Sequence, residues 1–179
     1  MTGAARTLVA GVGNIFLGDD GFGVEVARRL AAEPLPEQVE VADIGVRGVH
    51  LAYQLLDGYD TLVLVDATTR GGAPGTLYLI EPDGGAPVDP DAAVLDGHRM
   101  APDAVLGLIG SLCAGTGTAP PRRIAVVGCE PACLDEGLGL TAPVAAAVPR
   151  AVELVHRLLA ADVPGAPPIQ TATGVAADR

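Results

Sequence analysis

Lysine is absent from this 179-residue chain, and serine occurs once, at Ser111. Without lysine there is no Gly-Lys-Ser or Gly-Lys-Thr with which a P-loop holds a nucleotide phosphate. The lone serine sits in an apolar helical pattern that reads as buried, and no Gly-x-Ser-x-Gly frames it, which argues against a serine hydrolase. Positive charge is also scarce: 11 basic against 22 acidic residues leave a net charge of −11. Such a chain repels phosphate backbones and anionic lipid, so neither nucleic acid nor a membrane is an expected partner. A protein or a small ligand remains. No apolar run is long enough to span a bilayer, because Gly, Pro or charge interrupts each one. Aromatic residues make up 3% against an apolar share of 49%, so the core must be built from Ala, Val and Leu, as in helices packed closely on a sheet. Three cysteines, Cys113, Cys129 and Cys133, with no signal-peptide start, predict a reducing, cytoplasmic setting.

A chain of this length is expected to form one domain that buries about 70% of its unfolded surface. Its folded part is expected over 1–160, with a disordered tail over 161–179, where Pro, Ala, Thr and Gly dominate. Short apolar runs at Thr7–Gly11, Val39–Ile44, Thr61–Val65, Thr76–Ile80 and Arg123–Val127 read as strands. Thr61–Val65, β-branched and Leu-rich without polar alternation, has the character of a central strand covered on both faces. Thr76–Ile80 fits either a hairpin partner of that strand or an edge. Helical spacing appears at Phe22–Ala32, with Val24, Ala27, Leu30 and Ala31 on one face and Glu25 and Arg29 paired on the other. It recurs at His50–Leu56, at Pro102–Leu112, and along the stripe Val144, Val148, Ala151, Val152, Val155 and Leu159, which Thr141 can cap. Pro149 interrupts that last stripe and predicts a kink or a helix start there, since an interior proline costs about 3 kcal/mol. Glu81–Gly97 reads as a long loop. The alternation of strands and helices predicts an α/β fold: a three-layer sandwich, with a twisted, mostly parallel sheet of about five strands flanked by helices.

The stretch Leu8–Gly23 ends a strand in Gly11-Val12-Gly13-Asn14 and then presents Asp19-Asp20 before a helix. It invites a dinucleotide-site reading, but the third glycine of GxGxxG would fall at Phe16. In an open α/β sheet ligands collect beyond the carboxyl ends of strands where the strand order reverses. Asp20 follows the first strand, Asp66 ends the strongest strand, and His98 precedes a helix. Two carboxylates and an imidazole suit zinc, nickel or a similar divalent ion. Without a cation the carboxylates would repel and one would take a proton. Each also has a plainer use. Asp19 or Asp20 can serve as the anion at a helix N-terminus, worth roughly 0.3–1 kcal/mol; Asp66 can be a turn residue and His98 an ordinary loop histidine. Cys129 and Cys133 read as buried or loop thiols, and His50 and His156 as partly exposed helix residues.

Together these residues resemble the hydrogenase maturation proteases, which process the large subunit of nickel-iron hydrogenases. The likeness spans about Leu8–Leu159 and rests on Gly11-Val12-Gly13-Asn14 with Asp19-Asp20-Gly21-x-Gly23-Val24, Asp43-x-Gly45-x-x-Gly48, Asp66-Ala67 with Pro74-Gly75-Thr76, His98, and Gly139-Leu140-Thr141. Val46 departs from it, standing where relatives commonly carry a hydroxyl residue. The resemblance implies metal ligands and catalytic groups at Asp20, Asp66 and His98, with Asp19 a neighbour or cap. It also implies a nickel-loaded large-subunit precursor as partner and removal of its C-terminal extension as the reaction. The metal is then the precursor's own nickel, positioned while a carboxylate activates water, or a resident ion such as zinc that activates the water itself. Two other readings compete: a maturation chaperone of the same fold that binds metal or precursor without cutting, and a nucleotide-dependent oxidoreductase resting on Gly11-x-Gly13 alone.

Overall fold

The structure, a computed structural model, describes residues 5–81 and 102–161. Five strands form one sheet: β1 (Thr7–Val12), β2 (Val39–Gly45), β3 (Thr61–Ala67), β4 (Leu77–Ile80) and β5 (Arg123–Cys129), in the order β2-β1-β3-β5-β4. The first three and β5 run parallel, and β4 lies antiparallel to β5 at the edge. Every residue of β1 and the first six of β3 are buried, as expected of apolar strands covered on both faces. Of the two readings of Thr76–Ile80, the edge strand holds and the hairpin with β3 does not, because β5 inserts between them.

Alternate strand residues feed two cores. Val9, Val63, Val65 and Val127 pack beneath α1 (Phe22–Ala31) and α4 (Ala142–Ala161). Leu8, Ala10, Leu62, Leu64 and Val126 pack beneath α2 (Gly48–Leu55) and α3 (Pro102–Thr116). The result is the predicted three-layer α/β sandwich. Fully buried side chains such as Phe22, Leu30, Leu51 and Leu62 each contribute roughly 1.5–3 kcal/mol by leaving water. Among the described residues no helix is long and apolar enough to cross a membrane.

Several details differ from the sequence reading. On α1 the buried face includes Val26 and leaves Ala31 exposed. α3 runs on to Thr116 and is not buried all round: Ile109 and Cys113 face the sheet, whereas Ser111 is exposed and its hydroxyl donates back to the Gly107 carbonyl at 3.1 Å. α4 starts at Ala142 and continues through Pro149 instead of beginning there. Val144, Ala147, Val148 and Ala151 around the proline are all buried, and their packing outweighs the lost main-chain bond. The expected loop at Glu81–Gly97, apart from Glu81, and the expected tail beyond Ala161 lie outside the described residues.

β1 sits between β2 and β3, so successive crossovers leave it in opposite directions. That reversal opens a crevice beyond the carboxyl ends of β1 and β3, where an open α/β sheet places its ligands.

Candidate functional site

The β1 crevice is shaped by glycine. Gly13, with φ of 137°, lies so close to the Asp20 carbonyl that a β-carbon would collide with it. At the start of α1, a β-carbon on Gly23 would strike the carbonyls of Val65 and Val12, and one on Gly11 would strike the Gly23 carbonyl. Gly23 thus fills the helix-packing role that a dinucleotide motif assigns to its third glycine, displaced in sequence by the intervening loop. Within that loop the Asn14 side chain closes a turn by accepting the Phe16 N–H at 3.0 Å, the side-chain-bonded turn that asparagine favours. The chain then makes a single 3-10 turn, Gly18–Gly21, carrying both acids.

The adjacent carboxylates have separate roles. Asp19 is fully buried. Its Oδ2 accepts the N–H groups of Ala132 (2.8 Å) and Cys133 (3.0 Å), its Oδ1 accepts the Thr141 N–H (2.7 Å), and the Thr141 hydroxyl lies 3.0 and 2.9 Å from the two oxygens. Burial pushes its pKa up, but the bonds from Thr141, Cys133 and Ala132 more than offset that and hold it below the ordinary value. Asp19 is therefore a brace between the β1 and β5 loops rather than a free helix-terminal anion, and Thr141, at the entrance to α4, donates its hydroxyl to Asp19. Asp20 turns the other way: its Oδ2 accepts the Asn14 N–H at 2.7 Å.

Asp66 is the penultimate residue of β3 and lies opposite Gly128 of β5. It is buried, with Oδ1 accepting the Ala67 N–H at 2.8 Å. Burial, reinforced by the negative charge of Asp20, pushes its pKa well above the ordinary carboxylate value. The charge of Asp20 thus reaches Asp66. Close by, a β-carbon on Gly128 would meet the Thr68 hydroxyl at 2.7 Å, and that hydroxyl is buried with no hydrogen-bond partner among the described residues. His98 lies outside the described residues. Among those described, no group of three or more His, Cys, Asp or Glu side chains is placed to hold a metal ion.

One buried carboxylate escapes the sequence reading. Glu130, just past β5, accepts the N–H groups of Arg70 (2.8 Å) and Gly71 (3.2 Å) and the Tyr78 hydroxyl (2.8 Å). Burial opposes its ionisation, yet those bonds hold its pKa below the ordinary value. It fixes the loop that follows β3, as Asp19 fixes the loop that follows β1. Its sequence signal is position, an acid directly after a buried strand, the same signal that marks Asp66. The thiols behave as read: Cys129 is buried and Cys133 half-buried. Burial, with the Asp19 charge adding to it, pushes the Cys129 thiol up to about 11, so it is not a ready nucleophile. His50 is exposed on α2, and His156 pairs with Glu33 at 2.6 Å.

The same chain matches known proteins along most of its length. The family model for hydrogenase maturation proteases matches residues 24–158. The hydrogenase expression/formation protein HupD of Rhizobium leguminosarum bv. viciae is 34% identical over 158 residues, 87% of this chain and 75% of HupD. The hydrogenase 2 maturation protease of Escherichia coli is 33% identical over 153 residues, 84% of this chain and 88% of that one. Among solved structures, the hydrogenase maturating endopeptidase HybD from Escherichia coli superposes with a TM-score of 0.71 at 32% identity, covering 86% of this chain and 91% of that one.

Proposed function

The chain belongs to the hydrogenase maturation protease family, and on that premise we propose that it removes the C-terminal extension of a nickel-loaded large-subunit precursor of a nickel-iron hydrogenase, in the cytosol. The observation that carries the site assignment is the electrostatic coupling of Asp66 to Asp20 at the switch point of the sheet.

That pair suits a divalent cation. Two carboxylates whose negative charges oppose each other, one of them buried and pushed toward its neutral form, are relieved by a cation, and oxygen donors fit such an ion. In this proposal Asp20, Asp66 and His98 hold the metal, which is the precursor's own nickel, delivered as part of the substrate. A resident ion such as zinc at the same three residues is the variant scheme, and either ion would supply positive charge that polarises the scissile carbonyl or a water.

The protein's own groups do the rest. Asp20, held by the Asn14 N–H, and Asp66, held by the Ala67 N–H, are set on short, well-packed segments, so the precursor's scissile bond meets a prearranged site. The ionised carboxylate facing the bond accepts the proton of the attacking water and returns it to the leaving amine, as general base and then acid. Burial and the charge of Asp20 make Asp66 hold its proton more tightly than an ordinary carboxylate does, and a cation bound beside it would oppose that effect.

The test is incubation of the purified protein with nickel-loaded precursor, followed by intact mass. Loss of the C-terminal extension is expected with the natural sequence and not with Asp20→Ala or His98→Ala. Full processing by either variant would overturn the site, and binding without loss of mass would overturn proteolysis.

A further inference from the structure

The loops after β1 and β5 are zipped together in front of the candidate site. The Gly18 N–H donates to the Gly137 carbonyl and the Gly137 N–H to the Phe16 carbonyl, each at 2.9 Å, while the Leu17 N–H donates to the Asn14 carbonyl at 3.1 Å. With Asp19 bracing the same two loops from below, the zipper is a rigid, preformed surface. Between the two loops lies a cavity of about 390 Å³, lined by Asn14, Phe16, Leu17, Glu136, Gly137 and Leu138. Its lips are Phe16, 63% exposed, and Leu138, 75% exposed. Large apolar side chains left this open on both rims of one recess mark a binding surface more than chance exposure does.

We infer that this recess is a specificity pocket for the precursor, taking a bulky apolar side chain from an extended segment next to the scissile bond, with a basic side chain beside it. This rests on the proposed proteolytic function. Three features choose that occupant. Its rims are the exposed side chains of Phe16 and Leu138, so what it chiefly offers is apolar contact. The charged group of the lining is the Glu136 carboxylate, exposed and without a hydrogen-bond or ion-pair partner among the described residues, which favours a cation alongside. Asn14 lines the recess and also donates its N–H to Asp20, so a side chain seated there holds its own backbone beside the candidate catalytic acid. A segment anchored in this way gains orientation at the reacting centre as well as affinity.

The experiment titrates nickel-loaded precursor onto the purified protein and onto Phe16→Ser, Leu138→Ser, Glu136→Lys and Tyr53→Ser, measuring affinity by calorimetry and cleavage separately by mass. Tyr53 is an exposed apolar residue on the outer face of α2 and serves as the control. All four positions are exposed, so thermal unfolding should match the parent protein. Roughly tenfold weaker binding is expected for Phe16→Ser and Leu138→Ser, a comparable loss for Glu136→Lys, and less than twofold for Tyr53→Ser. Unchanged binding by the Phe16 and Leu138 variants, with cleavage intact, overturns the pocket and leaves the proteolytic reading standing. Equal losses at all four positions overturn it in favour of a general sticky surface. Selective loss of binding in a protein that never cleaves supports the pocket and overturns proteolysis, and a parent protein that does not bind the precursor overturns both.

Discussion

Asp19 and Thr141 are 122 residues apart in sequence, yet one carboxylate takes both the main-chain N–H and the hydroxyl of the threonine. This contact ties the turn that presents Asp20 to the entrance of α4, with Ala132 and Cys133 held by the same group. Asp19→Ala should strand several buried donors at once and cost roughly 3 kcal/mol or more, readable as a lower urea midpoint. Thr141→Val, which removes only the hydroxyl, should cost about 1 kcal/mol. Because the folded-state pKa of Asp19 is depressed, its contribution is fully present above the unfolded-state value near ~4 and is lost as pH falls through the lower, folded value. The stability gap between parent and Asp19→Ala should therefore narrow in acid, and a gap independent of pH would count against the ionised brace.

Glu130 gives a second test of how the crevice is walled. If it organises the loop after β3, Glu130→Ala should release the Arg70 and Gly71 amides, which donate to it, and speed their hydrogen exchange while β1 amides stay protected. Tyr78 would lose its acceptor as well, so the edge strand should exchange faster too. Exchange rates in that loop equal to the parent's would show that the loop is held by other means.

The parts of the fold that could be read from sequence are those set by local chemistry. β3 announces itself through Thr61–Val65, and Asp66 through being the acid at which that apolar run stops. Asp20 could be placed because a glycine turn after a strand is visible in one window. Sequence leaves the pairing of β4 open, since a four-residue strand after a turn satisfies either neighbour, and the choice is made by β5, more than forty residues later. The helix start that Pro149 predicts does not occur, because propensity is local, whereas the burial of Val144, Ala147, Val148 and Ala151 that overrides it is tertiary. The separation of roles between Asp19 and Asp20 has no local signal at all. It arises from the orientation of one 3-10 turn against loops that come together only when β5 is in place.

Gly23 makes the same contrast between local and tertiary signals testable. Counting glycines from Gly11 reaches Phe16 and finds the motif broken, yet in three dimensions Gly23 is where α1 meets the backbones of β1 and β3. Gly23→Ala should force the helix off the sheet and cost more than about 3 kcal/mol, seen as insoluble expression or a large fall in Tm. Gly58→Ala is the matched contrast. Gly58 has φ of 84° and nothing within 4 Å of the point where a β-carbon would stand, so backbone strain of about 1–2 kcal/mol should be the whole cost. Similar effects at the two positions would refute the close-approach argument.

Asp66 allows stability to be separated from function. Its folded-state pKa is raised, by burial first and by the charge of Asp20 second, so the folded protein binds the Asp66 proton more tightly than the unfolded chain does. Stability must then fall as pH rises from the unfolded value near ~4 toward the raised folded value, because the native state is made to ionise a buried group beside a like charge. Asp66→Asn, which keeps an oxygen able to accept the Ala67 N–H, removes this penalty. Relative to the parent, the variant should gain stability progressively as pH rises above about 4, while losing precursor processing. Asp20→Asn should reproduce part of the gain without touching Asp66, since it removes only the neighbouring charge. Chemical denaturation of parent and variants from acid to neutral pH measures it; parallel profiles for parent and Asp66→Asn would mean that Asp66 is not held above its ordinary value, and parallel profiles for parent and Asp20→Asn that the two carboxylates do not share one field.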